Sequence, residues 1–314
     1  VCELKNVGGK KMYHNYTYSG ALAASEKMQW KISDVIKEEN KLDFRKPFLP
    51  ESLARVKPLS FLTPQEQLVL NQIRGNTYLT LFGTVEEFIL PFVIDNARPR
   101  LNDDDYRVRA LLAFATEEAK HIHLFKMFKD EFDKGFGTKC QVIGPPGDIA
   151  AAVLSHHPLA VALLTLHIEW FVQRHYTESI RDANELDPQF KRLLKYHWID
   201  EAQHTKLDTL MIEALAENCS PQEIKKAFEE YLEMGQFLDR GLAQQVQFEL
   251  DSFTRATGRK LTEEELKDFN EVQLQANRWT YIGSGMNHPN FLATAGYLDP
   301  EWKAKLEALA PAFC

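Results

Sequence analysis

The chain has 314 residues, of which 44% are apolar, and carries a formal net charge of −8. That supports a sizeable buried core and argues against a broad basic surface for nucleic acid. No run of eighteen uncharged apolar residues appears, so no membrane span is expected.

The first twenty residues are polar and lack a signal-peptide core, which makes the cytoplasm the expected location. Cys2, Cys140, Cys219 and Cys314 are scattered and form no Cys-x-x-Cys pair, so neither a zinc motif nor a disulfide scaffold is read. Residues 1–62 read as an irregular arm with one helix near Leu22–Glu39 and a Pro- and Lys-containing connector over 47–58. Thr63-Pro64-Gln65-Glu66 opens a helix with Thr as N-cap and Pro in the first turn, running to about Asn96. Asn102-Asp103-Asp104-Asp105 caps a second helix reaching about Lys134, and 135–147 is read as a loop. A third helix is expected from His157 to Asp182 and a fourth from Pro188 to Asn218. Ser220-Pro221-Gln222-Glu223 repeats the capping pattern before a long fifth helix, and a shorter one follows Thr262. Phe228, Tyr231, Phe237 and Phe248 at helical spacing read as packing against the bundle. Tyr281–Pro300, rich in Gly, Asn and Pro, reads as an ordered loop or lid. No segment alternates as a strand does. The expectation is an all-α single domain: arm 1–62, four-helix bundle 63–218, and C-terminal helices with the lid over 219–314.

Of ten histidines, His121 and His204 follow an acid by three residues, after Glu118 and Glu201. A spacing of three puts both side chains on one helix face. Those faces are otherwise apolar, with Leu111, Phe114 and Phe125 beside the first pair and Phe190, Leu194 and Met211 beside the second. Glu86 and Glu169 sit among apolar neighbours on two further helices. Glu86 and Glu118 are 32 residues apart, as are Glu169 and Glu201. A single offset of 83 carries Glu86, Glu117, Glu118 and His121 onto Glu169, Asp200, Glu201 and His204. Four carboxylates facing one core would repel strongly, and two cations remove that problem. Four carboxylates and two imidazoles suit iron or manganese, so the expected cofactor is two iron ions, with manganese or a mixed pair left open. Glu117 and Asp200 can each accept a hydrogen bond from a ligand imidazole of the opposite pair. Glu87 competes with Glu86 for the first position; the face and the offset favour Glu86. His197, one turn before Glu201, is either a third imidazole ligand or a core histidine bonded to an outer acid. Gly83, Thr165 and Gln173 are candidates for a substrate pocket beside the metals, although small residues at these turns equally ease helix packing.

The succession Glu86, Glu118-x-x-His121, Glu169, Glu201-x-x-His204 resembles the ferritin-like di-iron superfamily. With His197 it is most similar to the p-aminobenzoate N-oxygenase family. The resemblance covers about 64–218 and rests on seven positions. It implies that His197 is a ligand, that the fold is a ferritin-like four-helix bundle with added N- and C-terminal helices, and that the di-iron pair uses O2 to oxygenate an arylamine nitrogen. The expected partners are O2, a small organic substrate and an electron donor, with no nucleic acid and no membrane, and a homodimer is left open. The alternatives are a desaturase or oxidase of a fatty or carrier-bound substrate, and an iron-oxidising ferritin-like protein.

Overall fold

A computed structural model describes residues 6–7, 10–11, 13–36, 41–102 and 104–314. Cys2, Asp103 and the last residues of the expected arm helix, 37–39, lie outside them.

The class is all-α. The only strands among the described residues are a two-residue antiparallel pair, β1 (Asn6–Val7) with β2 (Lys10–Lys11). The arm then forms α1 (Tyr18–Lys27), α2 (Ile32–Val35) and α3 (Glu51–Ala54). The first bundle hairpin is α4 (Pro64–Ala97) and α5 (Asp105–Phe136). In α4, Thr63 accepts from the Glu66 amide and the Glu66 carboxylate accepts from the Thr63 amide, so each cap satisfies the other. Gly137 ends α5 at φ 77°, a left-handed turn that a side chain would oppose.

A crossover holds α6 (Pro146–Leu154), which begins inside the segment read as a loop. Its two prolines mark a helix start, Pro146 occupying the first turn where no amide partner is missed. The second hairpin is α7 (Pro158–Arg174) and α8 (Pro188–Ala216), with a wide π turn at 175–180. Two hairpins joined by one long crossover is the connectivity of ferritin-like bundles. The helices α9 (Pro221–Thr257) and α10 (Glu263–Arg278) follow. α9 lies against both α4 and α7.

The expected lid over Tyr281–Pro300 is helical instead: a π turn at 279–283, then α11 (Ser284–Met286) and α12 (Pro289–Leu298), with α13 (Pro300–Leu309) beyond. Its glycines serve close packing rather than turning. A Cβ on Gly283 would collide with the Phe313 carbonyl oxygen, and one on Gly285 would stand 2.6 Å from the His167 ring.

The stretch Pro64–Arg100 is long and apolar enough to cross a membrane, which the absence of an eighteen-residue uncharged run did not anticipate. Of its most apolar window, 61% is buried within the protein. Helices α5, α6 and α9 cover it, and the apolar character of α4 is that of the bundle core.

Candidate metal centre

The four bundle helices bring Glu86, Glu118, His121, Glu169, His197, Glu201 and His204 to one point, and none is more than 2% exposed. The spacing of three on α5 and α8 and the length of each hairpin produce this convergence. Glu87 turns outward to Lys126, 3.0 Å away, so Glu86 is the acid that faces the cluster.

The cluster has two ends. At one, His197 Nε2 is 2.6 Å from Glu201 Oε1 and 2.9 Å from Glu86 Oε1, and His121 Nδ1 is 3.5 Å from Glu86 and 3.4 Å from Glu201. At the other, His204 Nδ1 is 2.9 Å from Glu118 Oε1, 2.8 Å from Glu201 Oε2 and 3.9 Å from Glu169 Oε1. Glu201 therefore offers one oxygen to each end. Glu118 also faces both histidines, lying 3.8 Å from His121. Glu86, His121, His197 and Glu201 can present donor atoms within 4.8 Å of one another, and so can Glu118, His121, Glu201 and His204.

The outer nitrogens are tied crosswise. His121 Nε2 meets Asp200 at 3.0 Å, and His204 Nε2 meets Glu117 at 2.9 Å. An N–H donated outward leaves the Nδ1 lone pair of each ring pointing at the cluster. Lys120 pairs with Asp200 at 2.8 Å and stands 3.7 Å over the Trp30 ring. Glu117 instead accepts from the Ser25 hydroxyl. Ser25 and Trp30 belong to the arm, which no local sequence pattern linked to the site; only their docking on α5 and α8 shows it.

The electrostatics describe a cluster short of positive charge. Burial would raise Glu86, but the neighbouring Glu118 carboxyl and the imidazoles of His121 and His197 outweigh it and hold the carboxyl at about 2. Burial and the Glu86 charge push Glu118 well above the usual carboxylate range, and burial and Glu201 do the same to Glu169. For Glu201 burial is again outweighed, by His197 and His204, and its carboxyl falls well below that range. His121 and His197 are pushed up to about 9 against the opposing effect of burial, by Asp200 with Glu86 and by Glu201 with Glu86. Both Glu118 oxygens, Oε2 of Glu86 and of Glu169, and His121 Nδ1 are buried with no hydrogen-bond partner. Unused lone pairs of oxygen and imidazole nitrogen around one buried point are the donor set that iron and manganese take. The residues fit two ions.

A cavity of about 570 Å³ lies between α4, α6, α7 and α9. Leu81, Val85, Phe88, Leu164, Ile168 and Phe171 form part of its apolar wall, while Gln141, Arg240 and Gln244 add polar groups. Phe237, 52% exposed, and Phe248 also line it, so these two aromatics are not bundle packing as the sequence suggested. None of the three expected pocket residues lines it. Gly83 packs on Phe125, Thr165 bonds the Val161 carbonyl within its own helix, and Gln173 donates to the Trp198 carbonyl. Thr84, which follows Gly83, does line it.

No protein-family model matches the sequence, and no curated protein matches it. Among solved structures, the chain is similar to an R2-like ligand-binding oxidase mutant with an aerobically reconstituted Mn/Fe cofactor, at 12% identity over 84% of this chain and 94% of that one, with a TM-score of 0.45. Another mutant with an aerobically reconstituted Fe/Fe cofactor is similar at 14% identity over 85% and 94%, with a TM-score of 0.43.

Proposed function

We propose that this protein is a dimetal oxidoreductase in which Glu86, Glu118, His121, Glu169, His197, Glu201 and His204 hold two iron ions, or a manganese–iron pair, and that it oxidises a small organic substrate with O2. The reading is carried by one observation: seven buried carboxylate and imidazole groups from four helices face one another with too few protein partners to satisfy them. A redox-active ion pair bound there supplies dioxygen activation.

The side chains supply the rest. Glu118 and Glu201 face both ends and bridge them. Asp200 and Glu117 fix the tautomers of His121 and His204. The apolar cavity binds the substrate body. On the finer reading, the substrate is an arylamine oxygenated at nitrogen, its ring taken by the Phe88 and Phe171 wall; an external donor supplies the electrons.

Purified protein made with iron should contain about two irons per chain. Reduced and exposed to 18O-labelled O2 with p-aminobenzoate, it should yield a nitrogen-oxygenated product carrying the label. Protein that binds no iron would end the dimetal reading, whereas iron binding without labelled product would end only the arylamine reading.

A further inference from the structure

The turn after α4, the starts of α5 and α7 and the ends of α6 and α8 meet at one end of the bundle around a second cavity of about 370 Å³. Buried Phe92 and Val161 lie at its floor, while the exposed Leu154 and Asn218 stand at its rim, so it opens to solvent. Val161 precedes Glu169 by eight positions on α7, about 12 Å along the helix axis. None of the seven cluster residues lines this cavity. It is a place of its own, apart from the metal centre.

Arg107, in the first turn of α5, lines the cavity. Its guanidinium packs 5.4 Å over the Tyr18 ring, and its Nε–H is buried with no hydrogen-bond partner. The Tyr18 hydroxyl is buried without a partner as well. The acids of this neighbourhood are engaged elsewhere. Asp95, also on the cavity wall, pairs with Arg98 at 2.8 Å, Glu213 pairs with His14 at 2.9 Å, and Asp104 accepts from the Tyr106 amide at 3.0 Å. Buried donors left without an acceptor are costly, and a cation among them selects an anionic one. The apolar floor calls for an organic body, and the Asp95 carboxylate disfavours a second negative charge on it. The volume is near the lower end of small-molecule sites, so the body is small.

We propose that this end cavity binds a small amphipathic monocarboxylate, with its carboxylate on Arg107 and its apolar body against Phe92, Val161 and Leu215. The inference goes beyond the dimetal reading and does not depend on it. The bound anion supplies the acceptor that Arg107 lacks, and its body ties α4, α7 and α8 together at this end of the bundle. The occupant is a second ligand of the protein, not the molecule oxidised at the cluster.

The test is calorimetric titration of the full chain with octanoate, and with octanamide as its uncharged counterpart, before and after loading with iron. Octanoate should bind at least about tenfold more tightly than octanamide, the worth of a charge-assisted hydrogen bond. Its affinity should be the same with and without iron. Arg107→Gln should weaken octanoate at least about tenfold, and Arg107→Lys, which keeps the charge, should fall between the two. Arg240→Gln, in the larger cavity, should leave octanoate binding unchanged. The proposal is overturned by unaltered protein that does not bind octanoate or binds octanamide equally well, and by unchanged affinity in Arg107→Gln. Weakening by Arg240→Gln alone would place octanoate in the larger cavity, and affinity that appears only with iron would place it at the cluster; either result overturns it too. If Arg107→Gln does not fold, the exposed rim decides: Leu154→Glu should weaken octanoate about threefold or more by charge repulsion, and an unchanged affinity there overturns the site. A chain that holds no iron ends the dimetal reading and leaves this inference standing on its own titration.

Discussion

His197 and Glu201, one turn apart on α8, meet at 2.6 Å from Nε2 to Oε1. The same nitrogen reaches Glu86 on α4 at 2.9 Å, so His197 faces the cluster and not an outer acid. His197→Ala should lower iron content from about two toward about one per chain, with the His204 end retained. Iron analysis checks this; two tightly held irons in the variant would assign His197 to the core.

The acids of the cluster should respond unequally to neutralisation. Burial and the Glu86 charge push the Glu118 carboxyl well above the usual carboxylate range, which favours its neutral form, so Glu118→Gln should change metal-free stability by less than about 1 kcal/mol. Glu201 is ionised and paired with His197 and His204. Glu201→Gln leaves those imidazoles without their counter-charge and should cost about 3–5 kcal/mol. Both variants should lose iron. Denaturant unfolding of metal-free samples separates them.

His175 gives the acid limb of stability. Burial, then Arg174 and His167, push its pKa down from 6.5 to about 3, and the neutral ring is held between Tyr78 Oη and Ser284 Oγ, each 3.0 Å away. A depressed folded pKa means that the unfolded chain binds the proton more readily. Stability from this group is therefore present above about pH 6.5 and lost as pH falls toward about 3, at up to about 1.4 kcal/mol per unit. His175→Gln should flatten the pH dependence of Tm over that window; an unchanged slope would show that the ring does not titrate with unfolding.

Glycine substitutions should discriminate contact from turn. At Gly285 an added Cβ meets the His167 ring and carbonyl oxygen at 2.6 Å, whereas at Gly147 in α6 it meets nothing within 4 Å. Gly285→Ala should destabilise by about 3 kcal/mol. Gly147→Ala should be neutral or stabilising by up to about 1 kcal/mol. Thermal unfolding of the pair checks both.

The contrast at Gly285 also explains where the sequence could be read and where it could not. Capping residues at Thr63, Asp104, Asp187 and Ser220 mark the helix starts locally, because the cap bonds to amides two or three residues away. The Glu-x-x-His pairs are legible for the same reason, since helical geometry alone places both side chains on one face. Gly283 and Gly285 look like helix breakers, yet what they accommodate is Phe313 and His167, distant in sequence. The cavity was missed on similar grounds: its wall comes from α4, α6, α7 and α9 together, and no window of one helix contains it. Ser25, Trp30 and Lys120 are invisible until the arm docks. Asp208 stands one turn beyond His204 in the sequence, but that neither of its oxygens finds a hydrogen-bond partner is a property of packing.

The crosswise bonds, His121 to Asp200 and His204 to Glu117, have a consequence for assembly. Each hairpin orients the other's imidazole, so neither half alone can present a correctly aimed ring to a cation. Capture of the ions would then work as a stitch across the α5–α8 seam. Affinity for metal becomes a gauge of how fully the two hairpins have closed on each other, and a mutation that loosens the seam far from any ligand should surface first as slow or partial loading.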